Sequence, residues 1–333
     1  MKHILVTGGA GYIGSITSYR LLKSGYNITI LDDLSKGHIG AIPAGCNFFQ
    51  GCFSDFTVLD KIHQKHTIDA IVHFAAYSLV SESVVKPHLY LQNNLIRSGK
   101  LLGWALDNNI KNFVFSSSAG VYGTPREVPI KETIIPSPEH PYGESKLLFE
   151  QELETSRKKS LIRYVSLRYF NAAGADLEAN LGEDHSPETH LIPNLIKTAM
   201  LNDNVFNLYG NDYSTPDGTA VRDYIHVVDL ANAHIQALKW LDADYKVDIS
   251  PIFNVGIGRG FSVMEILEIT QKVTGKKIRY EINPRRLGDP PCLVADTSKA
   301  NDILKWNPYW TNPEEIVRMA YEWYTLHPYG YTS

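Results

Sequence analysis

The chain has 333 residues, of which 44% are hydrophobic, so it is long enough to bury a large core in more than one lobe. Its formal net charge of −4 provides no basic field for nucleic acid or for an anionic membrane surface. Three cysteines, Cys46, Cys52 and Cys292, occur outside any Cys-x-x-Cys spacing. We therefore expect no disulfide framework, no metal site, no signal peptide or membrane span, and a reducing cytoplasmic environment.

Strand and helix patterns alternate in the first half of the chain. An apolar stretch predicts a strand at residues 4–7, and helical spacing follows it as far as Gly25, which suits a helix C-cap. Further strands are predicted at residues 26–33, 47–51, 68–76, 112–118 and 163–171, and further helices at residues 87–108 and from 142 onward. This alternation predicts an α/β fold with a Rossmann-type, doubly wound parallel sheet.

Glycines at positions 8, 11 and 14 follow the first strand and open the first helix, in the stretch TGGAGYIGS. Without Cβ atoms, the backbone can approach a pyrophosphate at the helix N-terminus, where free N–H groups favour anions. Asp32 ends the second strand, where a carboxylate can bind the ribose 2′-hydroxyl and repel a 2′-phosphate. The pattern therefore predicts NAD rather than NADP, and a glycine-rich turn that only packs tightly is the alternative.

Tyr142 and Lys146 are four residues apart in PYGESK, so they share one face of a predicted helix. The preceding strand, NFVFSSS, ends in serines 116–118 at the sheet edge where ligands bind. The ammonium and the positive nicotinamide ring of NAD+ should both lower the pKa of Tyr142, which could then exchange a proton with a substrate hydroxyl. Tyr19 and Lys23 share this spacing but lack such a strand, so chance explains that pair.

The sequence pattern becomes irregular after about residue 175, where turns and prolines are more frequent. We predict an NAD-binding Rossmann domain over residues 1–175, which also carries the catalytic residues. Residues 176–333 are predicted to form mainly a smaller C-terminal substrate-binding lobe. The chain is free to cross between the two lobes more than once.

A series of motifs covers nearly the whole chain in a fixed order: TGGAGYIGS, HFAA, SSSAGVYG, PYGESK, RYFNAAGA, GED, GNDYSTPDGTAVRDYIHVVDLA and PRRLGD. In this order they resemble the UDP-glucose 4-epimerase family of the extended short-chain dehydrogenase/reductase superfamily. The long DGTAVRDYIHV block is far more specific than any short motif. The resemblance implies a cytoplasmic enzyme that uses NAD for the reversible C4 epimerisation of UDP-glucose and UDP-galactose through a 4-keto intermediate.

The resemblance also implies which residues form the site. It assigns catalysis to Ser118, Tyr142 and Lys146. It assigns NAD contacts to Gly8, Gly11, Tyr12, Ile13, Gly14, Asp32, Phe74, Ala75, Asn93, Ser116, Tyr142 and Lys146. It assigns UDP-sugar contacts to Ser118, Tyr142, Asn171, His190, Leu191, Tyr209, Arg222, Arg286, Asp289 and Leu293. Planar arginine donors suit a diphosphate, which supports the two arginines in this set.

Some positions depart from the family pattern. Cys52 stands where an aspartate often contacts the adenine, and Ser78 replaces a lysine near the cofactor, so NAD retention is expected to be weaker than usual. His190 replaces an asparagine near the diphosphate. Ala119 and Gly120 stand where related dehydratases carry an Asp-Glu pair, so dehydration is disfavoured.

Several alternatives remain open on the sequence alone. The chain could epimerise an N-acetylated or uronic UDP-sugar, act as a reductase that releases NAD(P), or be a non-catalytic NAD-binding sensor. Leu293 lies where the size of the side chain decides whether a sugar N-acetyl group fits, and an ordinary buried leucine is the other interpretation. The resemblance further implies a homodimer formed through helices near residues 87–108 and 142–157.

Overall fold

A central parallel sheet organises the chain in the computed structural model, which describes residues 1–201, 204–286 and 288–331. The strands are β1 His3–Thr7, β2 Asn27–Asp32, β3 Asn47–Gln50, β4 Ala70–His73, β5 Asn112–Ser118, β6 Arg163–Tyr169, β7 Asn171–Ala173, β8 Val205–Tyr209, β9 Val221–Arg222, β10 Tyr224–His226, β11 Ile252–Val255, β12 Phe261–Ser262, β13 Arg279–Asn283 and β14 Cys292–Leu293.

The α-helices are α1 Tyr12–Lys23, α2 Phe56–Lys65, α3 Val80–Val85, α4 Pro87–Tyr90, α5 Ser98–Asp107, α6 Pro141–Lys158, α7 Leu191–Met200, α8 Val227–Lys239, α9 Val263–Thr274, α10 Ser298–Leu304 and α11 Pro313–Leu326. Short 3-10 turns lie at Ile39–Ala41 and Ala119–Val121, and π-helical turns lie at Leu91–Arg97 and Trp240–Asp244.

Seven strands form the parallel sheet in the order β11-β6-β5-β4-β1-β2-β3. The chain progresses outward from β1 to β3 on one side and from β4 to β11 on the other. The order therefore reverses between β1 and β4, and ligands of such sheets bind beyond the carboxyl ends of the strands at this point. The predicted α/β fold with a Rossmann-type, doubly wound sheet is confirmed.

Side chains of β1 alternate between two buried layers of helices. Ile4 and Val6 face a cluster that contains Leu230 of α8, whereas Leu5 faces a cluster that contains Phe149 of α6. All five side chains are fully buried, and each contributes about 1.5–3 kcal/mol relative to an exposed position. The two layers hold the carboxyl ends of β1, β4 and β5 rigidly side by side.

A separate apolar cluster lies in the second half of the chain, where α7, α9 and α11 contribute Leu195, Ile266 and Trp323. However, β11 pairs with β6 in the main sheet, and Trp306 packs into the core around β1. The chain therefore returns to the first layer system after residue 175. The domain bounds of 1–175 and 176–333 stay a prediction.

The ends of several predicted elements shift by a few residues. Helix α1 ends at Lys23, Ser24 caps it, and Gly25 follows with a φ of +87°, a conformation that glycine adopts without strain. The predicted helix over residues 87–108 forms as α4, a π-helical turn and α5. Among the helices in the described part of the chain, none combines the length and the apolar character that a membrane crossing requires.

Candidate active site

The glycine turn leaves no room for side chains at two of its positions. Gly8 has a φ of +74°, and a Cβ there would lie 2.5 Å from the backbone nitrogen of Ala75. A Cβ at Gly14 would collide with the carbonyl oxygen of Gly8. A Cβ at Gly11 would meet only that same oxygen, at 3.5 Å, so the surface of the turn at Gly11 is open to a ligand.

Helix α1 presents free backbone donors beside this opening. Gly11 is its N-cap and has no side chain to accept from the first turn, which begins with Tyr12 and Ile13. Unsatisfied N–H groups and the helix dipole at this end favour a negatively charged group. The turn and the start of α1 therefore fit the pyrophosphate of NAD.

Asp32 is buried at the carboxyl end of β2 and faces the glycine turn. Its carboxylate accepts hydrogen bonds from the backbone N–H groups of Ala10 at 3.0 Å and Leu34 at 2.9 Å. Burial raises the pKa of Asp32, and these two hydrogen bonds oppose the rise. The remaining lone pairs of this fixed carboxylate can accept from ribose hydroxyl groups.

The segment after β4 lies directly against the glycine turn. Backbone N–H groups of Phe74 and Ala75 both donate to the carbonyl oxygen of Thr7, at 2.9 and 3.1 Å. Asn93 is buried on the π-helical turn, where its Oδ1 accepts from Arg97 and its Nδ2 donates to Asn94, both at 3.1 Å. These contacts fix the predicted cofactor residues at one edge of the sheet.

Tyr142, Ser118 and Lys146 meet at the carboxyl end of β5. The Ser118 side chain lies near enough to the Tyr142 hydroxyl to favour the phenolate and lower its pKa. The Lys146 ammonium donates to the carbonyl oxygen of Ser116 at 2.7 Å and lies 5.8 Å from the centroid of the Tyr142 ring. The Ser116 hydroxyl is hydrogen-bonded to that of Tyr169, which sequence reasoning did not single out.

In the absence of NAD+, burial dominates the pKa values of Tyr142 and Lys146. Burial raises the pKa of Tyr142, and the hydrogen bond with Ser118 opposes that rise. Burial also lowers the pKa of Lys146 to about 7, with Glu150 acting in the other direction. Loss of hydration therefore has a larger effect on the pKa of Tyr142 than its hydrogen-bonding neighbour Ser118. The positive ring of NAD+ would favour the phenolate.

His140 was missed by the sequence analysis. It is the N-cap of α6, where its Nδ1 accepts from the N–H of Gly143 at 3.0 Å. Its ring stacks on that of Tyr142 with 5.9 Å between centroids and 12° between planes. Burial lowers the pKa of His140, which keeps the ring neutral and able to accept this bond. The His-Pro-Tyr sequence was the available signal, since His140 precedes a helix-starting proline.

Arg222, Asp289 and Arg286 lie in the second half of the chain. The Arg222 guanidinium forms an ion pair with Asp289 and donates to the carbonyl oxygen of Pro290 at 2.7 Å. The guanidinium carbon of Arg286 stacks 4.4 Å from the ring centroid of Tyr209. Arg222 is thus held by Asp289 and Pro290, whereas Arg286 is held by the ring of Tyr209.

Asp223 does not form the surface ion pair with Arg222 that their adjacency would allow. It is fully buried and accepts from the backbone N–H groups of Ile257, Gly258 and Ala295 at 2.8–3.2 Å. Burial raises the pKa of Asp223 to about 6, and these bonds oppose the rise. Asp223 therefore holds together the loop around Arg222.

The remaining predicted substrate residues lie on three elements. Asn171 starts β7 and is exposed, while Leu191 begins α7 with His190 as the residue before it. Leu293 lies beside Arg222 in the register of β14 and β9, and is half-buried against a cluster that includes Ala119 and Phe170. Leu293 thus packs against the same apolar cluster as the residue that follows Ser118.

Known proteins resemble this chain in both sequence and fold. A family model described as the NAD dependent epimerase/dehydratase family matches residues 4–256. A UDP-glucose 4-epimerase from Lactobacillus helveticus is 47% identical, with 98% of each chain covered. A crystal structure of a UDP-glucose 4-epimerase superposes with a TM-score of 0.95 at 41% identity, covering 100% of both chains. A UDP-glucose 4-epimerase from Bifidobacterium longum, solved with NAD+ and UDP, gives a TM-score of 0.91 at 36% identity, covering 99% of this chain and 100% of that one.

The chain belongs to the NAD dependent epimerase/dehydratase family. Within that family, its relatives confirm the function predicted from the sequence, which is NAD-dependent epimerisation of UDP-glucose and UDP-galactose by an isomerase. They also confirm NAD as the cofactor.

Proposed function

We propose that Ser118, Tyr142 and Lys146 carry the proton transfer in this epimerisation. The observation that supports the proposal is the meeting of these side chains at the end of β5, where Lys146 donates to the carbonyl oxygen of Ser116 and lies 5.8 Å from the centroid of the Tyr142 ring. Strand β5 pairs with β4, and β4 leads into the segment that packs on the glycine turn. Tyr142 therefore lies at the end of β5, two strands away from β1 and the glycine turn, at the edge of the sheet where ligands of this fold bind.

Tyr142 takes the proton of the sugar 4-hydroxyl, and Ser118 holds the same oxygen in place. NAD, when bound, accepts hydrogen from C4 as hydride and later returns it. Between these events, the 4-keto sugar turns about its diphosphate linkage and presents its other face. Tyr142 then returns the proton to the 4-oxygen, so the sugar leaves with inverted C4 configuration.

The second lobe is proposed to hold the UDP part of the substrate. Arg222 and Arg286 supply planar donors for the diphosphate, and Asp289 accepts from the uridine ribose. The guanidinium of Arg222 is already fixed through Pro290, so less freedom is lost when a diphosphate binds. Further contacts are assigned to Asn171, His190, Leu191, Tyr209 and Leu293.

A second, slower activity on N-acetylated UDP-sugars is supported by Leu293. Its side chain is only half-buried and is smaller than a tyrosine, so it leaves part of the space that an N-acetyl group needs. A difference of this kind in an apolar pocket discriminates by about 10–200-fold rather than absolutely.

A cytoplasmic homodimer is proposed as the working form. Helix α6 packs against the π-helical turn, which continues directly into α5. One member of the helix pair is therefore α6, and the other is the π-helical turn together with α5. Ile96 in this pair is 48% exposed, and the space above Gly103 is open to 4 Å. The exposed Ile96 side chain and the open surface at Gly103 would allow the same two helical segments of a second chain to pack closely against these. All three cysteines are free thiols, which suits a reducing compartment.

Incubation of the purified protein with UDP-galactose tests the function. We expect conversion to an equilibrium mixture with UDP-glucose and no net consumption of nicotinamide cofactor. One sample receives no added cofactor and a second receives NAD+, because Cys52 and Ser78 predict weak NAD retention. A requirement for stoichiometric NAD(P)H would indicate a reductase, and absence of product in both samples would indicate a non-catalytic NAD-binding protein.

A further inference from the structure

We propose that Glu183, His185, Glu188 and His190 form a binding site for a divalent metal ion, with Zn2+ preferred. Each side chain offers one ligand atom, and these four atoms all lie within 4.8 Å of one another. The site departs from the expectation of no metal, which rested on cysteine spacing alone. It goes beyond the epimerase reaction and does not depend on the assignment of the catalytic residues.

The spacing of the ligand atoms suits tetrahedral coordination. His185 Nδ1 lies 3.1 Å from Glu183 Oε1 and 3.9 Å from Glu188 Oε1, and His190 Nδ1 contacts Glu183 Oε1 directly. With Zn–ligand bonds of about 2.0–2.2 Å, neighbouring ligand atoms of a tetrahedron are about 3.3–3.6 Å apart. The observed separations lie on both sides of this range, so small side-chain rotations would complete the site.

Glu188 provides an independent indication of a missing ligand. Its side chain is only 5% exposed, and its Oε1 accepts from the N–H groups of Thr189 at 2.8 Å and His190 at 2.9 Å. Its Oε2 is buried without a hydrogen-bond partner among the described residues, and the Lys197 ammonium is 3.8 Å away. This buried oxygen thus has one long ion pair and no hydrogen bond, an arrangement that is costly and that coordination to a cation would relieve.

The composition of the cluster favours zinc over harder cations. Two carboxylates and two neutral imidazoles balance one divalent ion, and imidazole nitrogen together with carboxylate oxygen is a donor set that Zn2+ accepts. Mg2+ and Ca2+ prefer six or more oxygen ligands, which this cluster cannot supply. The alternative is an ion-pair cluster in which protonated histidines neutralise the two glutamates and no metal binds.

The metal would brace the segment between the two lobes. His190 precedes α7, and the edge-on ring of Tyr12 at the start of α1 lies 6.4 Å from the ring of His185. The neighbouring carbonyl oxygen of Asp184 is 3.0 Å from His38 Nε2. Coordination through His190 Nδ1 leaves Nε2 of the same ring free for the substrate. The ion thus has a structural role beside the NAD and UDP-sugar sites.

Zinc titration of chelator-treated protein tests this site. We expect calorimetry with ZnCl2 to give one ion per chain, and MgCl2 or CaCl2 to give no comparable binding. His185→Ala and His190→Ala should each weaken the affinity by more than about 100-fold, because even the outer partners of metal ligands are worth 10–100-fold. His88→Ala, at an exposed position on α4, is the matched control and should bind like the wild type.

A second measurement keeps the test independent of folding in the variants. Co2+ bound to the wild-type chain should give the intense visible absorption of a tetrahedral site, and Zn2+ should displace it. The proposal is overturned if the wild type binds less than one equivalent of zinc. It is also overturned if His185→Ala and His190→Ala, shown to be folded by circular dichroism, bind zinc as His88→Ala does.

Discussion

Lys146 donates a hydrogen bond from its Nζ to the carbonyl oxygen of Ser116 at 2.7 Å, and this bond ties α6 to the carboxyl end of β5. The bond holds the ammonium 4.9 Å from the centroid of the Phe115 ring, in surroundings with little water. Lys146 is 3% exposed, and its dehydration lowers the pKa to about 7. Below about pH 7, the chain therefore holds a positive charge beside Tyr142 at a cost in stability.

Lys146→Met should change the pH dependence of stability. The folded chain releases the lysine proton near pH 7, whereas an unperturbed lysine keeps it to about 10.5. Between these values the unfolded state binds more protons, so the wild type gains stability with rising pH relative to the variant. The gain is at most about 1.4 kcal/mol per pH unit. Urea unfolding of NAD-free protein at pH 7, 8 and 9 measures it.

The control for this experiment is Lys159→Met, which replaces an exposed lysine at the end of the same helix. Its free energy of unfolding should follow that of the wild type at every pH. A constant difference between wild type and Lys146→Met from pH 7 to 9 would mean that Lys146 keeps its proton in the folded chain.

Tyr142→Phe should remove nearly all turnover while leaving the fold and NAD binding unchanged, because only the proton-carrying oxygen is lost. A general base contributes about 10²–10⁴-fold, so kcat should fall by at least about 100-fold. Tyr19→Phe is the matched control, since Lys23 follows Tyr19 at the same spacing. Retention of more than about a tenth of the wild-type rate by Tyr142→Phe would contradict its role as the proton carrier.

The difference between these two tyrosines could be predicted from the sequence because it depends on local pattern. Helix spacing and the serine-ended strand before Tyr142 are both visible within a short segment. In the structure, Tyr19 donates to Glu178 at 3.0 Å on the surface, and Lys23 pairs with the same carboxylate at 3.3 Å. Alternation of strands and helices likewise predicted the sheet.

Contacts between distant segments could not be predicted in this way. The ion pair of Arg222 and Asp289, and the entry of β11 into the main sheet, depend on pairings across many residues that periodicity does not encode. The raised pKa of Tyr142 depends on burial by surrounding elements, whereas sequence spacing revealed only its neighbouring charge. The members of the Glu183 cluster are close in sequence, but the prediction of no metal site rested on cysteine spacing, which does not include them.

Asp32→Ala should weaken NAD binding and reduce the preference for NAD over NADP. The substitution removes both the ribose acceptor and the charge that repels a 2′-phosphate. It also leaves the N–H of Ala10 without its 3.0 Å acceptor, so folding is checked by circular dichroism. Asp33→Ala, at the exposed neighbouring position, is the control. Unchanged affinity for both cofactors in calorimetric titration would mean that Asp32 is not at the ribose.

Ile96→Glu should convert the proposed homodimer into monomers. A carboxylate at this 48% exposed position would have to be dehydrated if a second copy packs against it. Light scattering on a size-exclusion column measures the mass of each variant. Ile135→Glu, at an 86% exposed position outside the helix pair, should leave the mass unchanged. If Ile96→Glu has the same mass as a dimeric wild type, the interface lies elsewhere.

Leu293→Tyr should suppress activity on UDP-N-acetylgalactosamine more than activity on UDP-galactose. Leu293 is half-buried against the apolar cluster that includes Ala119, and a larger ring at this position is expected to fill part of the sugar pocket. In the wild type, we expect UDP-galactose to be the better substrate and the N-acetylated sugar to react more slowly. The ratio of kcat/KM between the two sugars should change by about 10–200-fold in the variant.

Two further variants separate a gate at Leu293 from an ordinary packing residue. Leu293→Met keeps nearly the same volume, so both the ratio of kcat/KM and the stability should stay close to those of the wild type. Leu293→Ser opens the pocket and should raise the relative activity on the N-acetylated sugar. If Leu293→Tyr and Leu293→Ser change thermal stability but leave the ratio unmoved, Leu293 serves only the apolar cluster, and other pocket residues determine the substrate range.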